Sequence, residues 1–358
     1  MGDSHSGNVV RDYTDPVMTR RLIKPRRWKP PAAAPAQGRG SRTAVLVIER
    51  QYPIGGHGPE DVAFDASGQI VTGVAAGGIV RVDPATGVRT VIGNTGGRPL
   101  GVEPCTDGSV LICDHDRGLL RMRPDGRSDV LVDSVDGEKL TFASNVAQGA
   151  DGSIWFTTSS SRWDLEHNTG DMFEHSCTGR LLRRDVDGRV TTLLTGLKFA
   201  NGLVLAPDSS YVLLAETAGY RVRRHWVTGP RTGSTETLIE NLPGFPDNMS
   251  LGSDGLLWVA IPAPRNALLD KLLPLPGFLR MVVWNLPDAV RPKAAPIAWV
   301  MAFDLAGRLV HDLRSTDGSY GFVTSVAERD GTLVIGSLHR DDIAVLKVPT
   351  AALNRDPR

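Results

Sequence analysis

The sequence predicts an all-β fold: a six-bladed β-propeller with a helical insertion in the fifth blade and an extended strap before the first. Three observations predict it. A unit of loop, short apolar run, turn and second apolar run recurs six times, from "GPEDVAFDASGQIVTGV" to "YGFVTSVAERDGTLVIGSL". The turns fall at Gly68, Gly108, Gly152, Ser209, Gly255 and Gly331, so most units span about 40 to 57 residues, the length of a propeller blade. The apolar runs, such as Val130–Val132 and Val212–Leu214, are short, aliphatic and bounded by Gly, Asp and Pro, which suits antiparallel strands. Six four-stranded sheets in a ring bury their faces on one another and leave only short edges.

Along the chain, residues 1–45 read as an N-terminal extension and Pro/Arg-rich linker, and residues 46–358 as the propeller. The linker segment "KPRRWKPPAAAPAQGR", residues 24–39, favours extended backbone without ladder hydrogen bonds, a strap along the surface. Its basic side chains are expected to face solvent, with contact to anionic lipid as the alternative. Aspartate and glycine at the turns supply the positive-φ positions that tight hairpins need. The fifth unit is longer by roughly thirty residues and holds "PAPRNALLDKLLPLPGFLRMVVWNLPDAVRP", residues 262–292. Its apolar residues recur at near-helical spacing, interrupted by Pro274 and Pro276. A helical clasp, a lid over the central cavity and a membrane-dipping helix are the three readings.

Hydrophobic residues make up 41% and charged residues 22% of the 358, the balance of a soluble globular protein. Forty basic side chains match forty acidic ones, so no global field draws the chain to nucleic acid, and a small neutral or weakly charged substrate fits better. Cys105, Cys113 and Cys177 form no CxxC pair, which points to reduced thiols, although a Cys105–Cys113 bridge stays open. The first residues contain no apolar run of a signal peptide, and Arg20-Arg21 is not followed by a hydrophobic stretch. Nor is there an uninterrupted stretch of the roughly 18 apolar residues that a spanning helix needs. The expectation is a cytoplasmic protein, with peripheral membrane contact as the one lipid role left open.

In a propeller the innermost strand of each blade starts at one end of the central channel, so the residue just before it can point at the axis. Reading that slot across the units gives Glu60, Asn145, Asn201 and Asp247. Two carboxylates and two carboxamides are hard oxygen donors, suited to Ca²⁺, with Mg²⁺ or Mn²⁺ as alternatives, and not to zinc. Two negative charges against a divalent cation leave such a site near neutral. His339, in "GSLHRDDIAVLKV", closes the second run of the sixth unit toward the same mouth and is a candidate proton shuttle or substrate hydrogen-bond partner. The GxSxG elbow, HExxH, the P-loop and a strand-to-helix GxGxxG are all absent.

"FANGLVLAPDSSYVLLAET", "LPGFPDNMS", "WFTTSSSRW" and "GRPLGV" resemble the strictosidine synthase-like family, close to its adipocyte plasma membrane-associated branch. The likeness runs from about residue 55 to 348 and includes the long fifth unit. That family is similar, more distantly, to the gluconolactonase, regucalcin and diisopropylfluorophosphatase propellers. The resemblance implies a calcium-centred site carried by Glu60, an Asn near 145, Asn201 and Asp247, and it likens His339 to a histidine late in the last blade of the phosphatase. Two departures accompany it. Where the family writes "FVND" this chain has "FASN", so a gapless alignment puts Ser144 at the Asn slot and Asn145 at the Asp slot. True strictosidine synthases carry a catalytic glutamate after the fifth "W-V" strand, where this chain has Ile261, Pro262, Ala263 and Pro264.

The resulting expectation is a metal-dependent hydrolase of a lactone or aryl ester, with Asp247 and His339 as candidate bases and a small, apolar substrate. The alternatives are a phosphotriesterase, a strictosidine synthase-like condensing enzyme, or a non-catalytic propeller that serves as a binding platform.

Overall fold

Among the described residues six blade sheets, besides one two-stranded hairpin at Ser134–Lys139, follow one another along the chain, and each of the first four is a simple meander of four consecutive antiparallel strands. Their innermost strands are Val62–Phe64, Pro99–Pro104, Ala143–Gln148 and Ala200–Leu205; those of the fifth and sixth blades are Met249–Leu251 and Val323–Arg329. In this computed structural model residues 21–32, 43–287 and 297–349 are described. The ring closes by strand exchange between the two ends of the chain. Arg50–Pro53 pairs antiparallel with Asp342–Lys347, Tyr52 opposite Ile343, so an N-terminal strand completes the last blade. The strand Thr43–Val45, which the sequence assigns to the extension, joins the fifth blade, parallel to Leu309–Ser315.

The reason for the ring lies in six apolar clusters, one at each blade-to-blade contact. Val71 and Ile79 of blade one meet Val102 and Ile112 of blade two, and Val204 and Leu213 of blade four meet Met249 and Val259 of blade five. The ring is sealed where Val62 and Ile70 pack on Val334 and Ile343. Fully burying one such side chain is worth about 1.5–3 kcal/mol, so each shared cluster ties a blade to its neighbour. The repeated turns have the geometry that their residues require: Gly68 sits at φ 84°, and Ser209, the one non-glycine of the series, at φ 55°. Cys105, Cys113 and Cys177 are free thiols, which removes the Cys105–Cys113 bridge left open by the sequence.

Two insertions follow the second strands of blades three and five, and therefore rise at the end of the channel where the innermost strands begin. The first carries helix α1, Asn168–Glu174. The second carries α2, Ala267–Leu272, capped by Asn266 Oδ1 accepting from Leu269 N at 2.9 Å, and α3, Gly277–Trp284. Pro274 and Pro276 lie between α2 and α3, where a continuous helix would need the amide protons that proline lacks. Of the 262–292 insertion expected from the sequence, 288–292 lie outside the described residues, as do 1–20 and 33–42 of the extension.

Strap residues 21–32 tie the insertions together. Arg26 N donates to Glu174 O at 2.8 Å and Trp28 N to Leu273 O at 3.1 Å, linking α1 to the α2–α3 junction. Ile23, Trp163 and Trp284 form the small core of this cap. Arg280, fully buried on α3, donates to the carbonyls of Phe173, Glu174 and Arg26 at 2.8, 3.3 and 2.6 Å.

Candidate active site

Under the cap lies a cavity of about 600 Å³, and each blade contributes one residue to its floor: Glu60, Leu100, Ser144, Asn201, Asp247 and Thr324. The next residues along, Asp61, Gly101, Asn145, Gly202, Asn248 and Ser325, form a second ring deeper in the channel. Successive side chains of extended backbone point oppositely, so one register step separates the two rings. Of the four candidate ligands, Glu60, Asn201 and Asp247 share the cavity floor. Asn145 does not join them; Ser144 takes the third-blade place, and Asn145 belongs to the ring below.

The rings are packed tightly enough to require glycine. A Cβ on Gly101 would lie 2.6 Å from the Asn145 Cα, and one on Gly202 would lie 2.6 Å from the Asp247 carbonyl oxygen. Neighbouring inner strands thus touch backbone to backbone, and the polar side chains of the other blades meet across the axis. Ser144 Oγ donates to Asn201 Oδ1 at 3.1 Å, and Asn201 Nδ2 donates to Asp247 Oδ1. Asn248 Nδ2 donates to Glu60 Oε1 at 3.0 Å. In the deeper ring Asn145 donates to Asp61 at 3.3 Å and to Asn248 at 3.2 Å, and it accepts from Leu203 N at 2.9 Å. Asn145 is therefore a bridge among blades one, three, four and five.

The electrostatics of the floor are costly. Burial, then the neighbouring charges of Asp247 and Asp61, holds the Glu60 carboxyl well above its ordinary range. Burial and the charge of Asp61 push Asp247 up to about 8, and burial raises Asp61 to about 7. Glu60 Oε2 is buried with no hydrogen-bond partner among the described residues. Buried carboxylates in this state hold a proton or neutralise a cation. Glu60, Asn201 and Asp247 present oxygen donors only, so the set fits a hard divalent ion. Among the described residues no group of three or more His, Cys, Asp or Glu side chains is spaced to hold one, so such a site relies on amide and hydroxyl oxygens.

The walls were not foreseen in the sequence, although a signal for them is there. Phe142, Phe199, Phe245 and Phe322 each stand two positions before the floor residue of their blade, Ser144, Asn201, Asp247 and Thr324, and all four line the cavity. Phe142, Phe199 and Phe322 have φ values of 51°, 59° and 55°, a left-handed backbone that non-glycine residues seldom adopt. Phe142 packs edge-on against Phe199 at 5.4 Å. Leu165 and Met172 of the first insertion and Leu268, Leu269 and Leu272 of α2 complete an apolar upper half. His339 stacks on Phe322 with ring centroids 4.0 Å apart, but the residue is exposed, and the cavity is lined by Phe322 and Leu338 in front of it. Ile261 is fully buried, and Pro262, Ala263 and Pro264 are part of the cavity wall.

Comparison with known proteins agrees with this architecture. A family model described as strictosidine synthase matches residues 145–230, and one described as strictosidine synthase-like, N-terminal, matches residues 50–82. The adipocyte plasma membrane-associated protein of Rattus norvegicus is 32% identical over 331 residues, covering 86% of each chain. Strictosidine synthase-like protein 6 of Arabidopsis thaliana is 30% identical over 339 residues, covering 89% of this chain and 90% of its own. Among solved structures, a gluconolactonase from Xanthomonas campestris superposes with a TM-score of 0.61 at 16% identity, covering 83% of this chain and 88% of that one. A calcium-binding regucalcin from Agrobacterium tumefaciens gives 0.56 at 16% identity, with 82% and 94% covered. Shared sequence over most of its length and a shared six-bladed ring make this chain a member of the strictosidine synthase-like family of β-propellers.

Proposed function

We propose that this protein is a metal-dependent hydrolase of an apolar lactone or aryl ester. The carrying observation is the cavity itself: oxygen-bearing side chains from separate blades, Glu60, Asn201 and Asp247, lie beneath four phenylalanines. Lactonase-type hydrolases and a calcium-binding protein among the propellers of similar fold support the reading. Glu60, Asn201 and Asp247 would hold a divalent cation, Ca²⁺ first among the candidates, and when bound such an ion supplies polarisation of the substrate carbonyl.

The chain's own part follows from the geometry. The phenylalanine walls take the apolar or aromatic portion of the substrate and turn its carbonyl toward the floor. The cap residues limit water at the reacting carbon. Asp247, with Oδ1 held by Asn201, accepts through its other oxygen a proton from the attacking water. Water oxygen bonds to the carbonyl carbon, the ester C–O bond breaks, and Asp247 returns its proton to the departing alkoxide. His339, behind Phe322, is the second candidate base. The hydrophobic walls favour an aryl or alkyl substrate over a polyhydroxylated sugar lactone. Pictet–Spengler condensation is disfavoured, because the positions after the fifth-blade strand are Ile261 and Pro262 and carry no carboxylate. A cytoplasmic location is the reading that the three free thiols support.

A panel of phenyl acetate, aliphatic lactones and a phosphotriester, each assayed with and without chelator, tests the proposal. Chelator-sensitive turnover of the carboxylic esters, lost in Asp247→Asn, is the expected result. Turnover of the phosphotriester alone assigns the cavity to the alternative hydrolase, and silence throughout leaves a binding platform.

A further inference from the structure

Glu60, Asn201 and Asp247 all stand where the regular ladder of their strands has stopped or slipped. Glu60 and Asp247 lie before the first registered pairs, which begin at Val62 and Met249. Asp247 keeps one backbone bond there, N to Ala260 O at 3.0 Å. Asn201 falls in the register shift between Ala200 and Leu203. Backbone outside regular pairing is free to tilt the side chain it carries, and its carbonyl oxygen still needs a donor.

Three buried threonines supply those donors, each from the preceding blade of the ring. Thr324 Oγ1 of blade six donates to Glu60 O at 2.7 Å, and Thr157 Oγ1 of blade three donates to Asn201 O at 2.8 Å. Thr217 Oγ1 of blade four donates at 2.7 Å to Pro246 O, the carbonyl of the peptide that leads into Asp247. Thr217 Oγ1 also accepts from Asn201 Nδ2 at 3.4 Å, so it touches two of the three turns. Any buried hydroxyl has to donate somewhere, but that need does not explain where these three converge. The second blade has the same slip, between Pro99 and Val102, with Leu100 on the floor. Among the described residues no hydroxyl donates to the carbonyl of Pro99 or Leu100. The third blade receives a thiol instead, Cys113 Sγ to Asn145 O at 3.4 Å, in the deeper ring.

We infer that Thr157, Thr217 and Thr324 are positioning residues, which set the affinity of the cavity floor for a divalent cation by fixing the turns that carry Asn201, Asp247 and Glu60. Thr324, itself on the floor, thereby acts through its neighbour, because its hydroxyl proton is committed to Glu60 O. The inference rests on the proposed cation at these three residues and adds what aims them. Its test needs no turnover.

The test is calorimetric titration of the full chain, stripped with chelator, with Ca²⁺, Mg²⁺ and Mn²⁺ in turn. Thr157→Val, Thr217→Val and Thr324→Val keep the side-chain shape and remove the hydroxyl, and each should weaken binding of the preferred ion by about tenfold or more. Thr157→Ser, Thr217→Ser and Thr324→Ser, which keep the hydroxyl, should restore the affinity. Ser250→Ala removes a bond of the same kind lower in the channel, Ser250 Oγ to Val326 O at 2.7 Å from blade five to blade six, and should leave the affinity unchanged. Thermal melts in chelator show which variants fold; Thr217 and Thr324, which line the cavity, carry the test if Thr157→Val does not. Valine variants that bind the ion as wild type does overturn this inference and leave the proposed cation standing. Serine variants as weak as the valine ones, or an equal loss in Ser250→Ala, overturn it too, since the effect is then a general loosening of the ring. Wild-type protein that binds none of the three ions overturns this inference and the metal reading together.

Discussion

Asn248 Nδ2 lies 3.0 Å from Glu60 Oε1 and joins the fifth blade to the first across the channel, while Glu60 Oε2 has no hydrogen-bond partner among the described residues. One carboxylate oxygen is thus fixed by the protein, and the other is buried without a partner. The burial and neighbouring charge that raise the affinity of Glu60 and Asp247 for protons also favour a divalent cation.

Removing one of these charges should therefore act in opposite directions on the two forms of the protein. In chelator, Glu60→Gln should melt no lower than wild type, because a buried carboxylate is gone. With added Ca²⁺, calorimetric titration should show affinity reduced by about a hundredfold or more. Equal calcium binding by wild type and variant would remove Glu60 from the site.

Asn145 is expected to matter for stability more than for the ion. Truncation to Ala leaves Leu203 N, Asp61 and Asn248 without their shared partner and should cost about 2–4 kcal/mol in urea unfolding. Ser144→Ala, which removes a cavity hydroxyl and one bond to Asn201, should cost less than about 1.5 kcal/mol. The reverse order would mean that the two rings are misassigned.

The two candidate bases separate by position. Asp247→Asn should lower kcat by about two powers of ten or more, whereas His339→Gln, substituted behind Phe322, should keep activity within about a factor of ten. A large kcat loss confined to His339→Gln would transfer the proton-accepting role to the histidine.

His175 supplies a pH dependence that concerns the cap. It is buried against Trp28, with ring centroids 4.4 Å apart, and burial followed by the charges of Lys198, Arg280, Arg221 and Arg26 lowers its pKa to about 3. The unfolded chain binds this proton below about 6.5 and the folded chain does not until about 3. The stability is present in full above the unfolded value and is lost as pH falls from about 6.5 toward 3. Thermal melts at pH 7 and pH 5 should show a larger drop for wild type than for His175→Gln. Parallel drops would show that other groups govern acid sensitivity.

The six-fold repeat, the strand character of its segments and the helical nature of the fifth-blade insertion were legible from local pattern, because turn chemistry and apolar spacing act over a few residues. That Glu60, Asn201 and Asp247 stand at equivalent places was legible too, since each precedes or opens an innermost strand. Which residue of each adjacent pair meets the cavity was decided by register alone. Ser144 and Asn145 are neighbours in sequence, yet the alternation of extended backbone turns one toward the cavity and one toward the ring below, where Gly101 lets blade two approach the Asn145 Cα. Only the tertiary structure brought the strap, α1 and α3 together around Ile23, Trp163 and Trp284, and only there did Arg280 turn inward and Phe278 outward. Those outcomes depend on contacts between segments more than a hundred residues apart, which no local sequence pattern encodes.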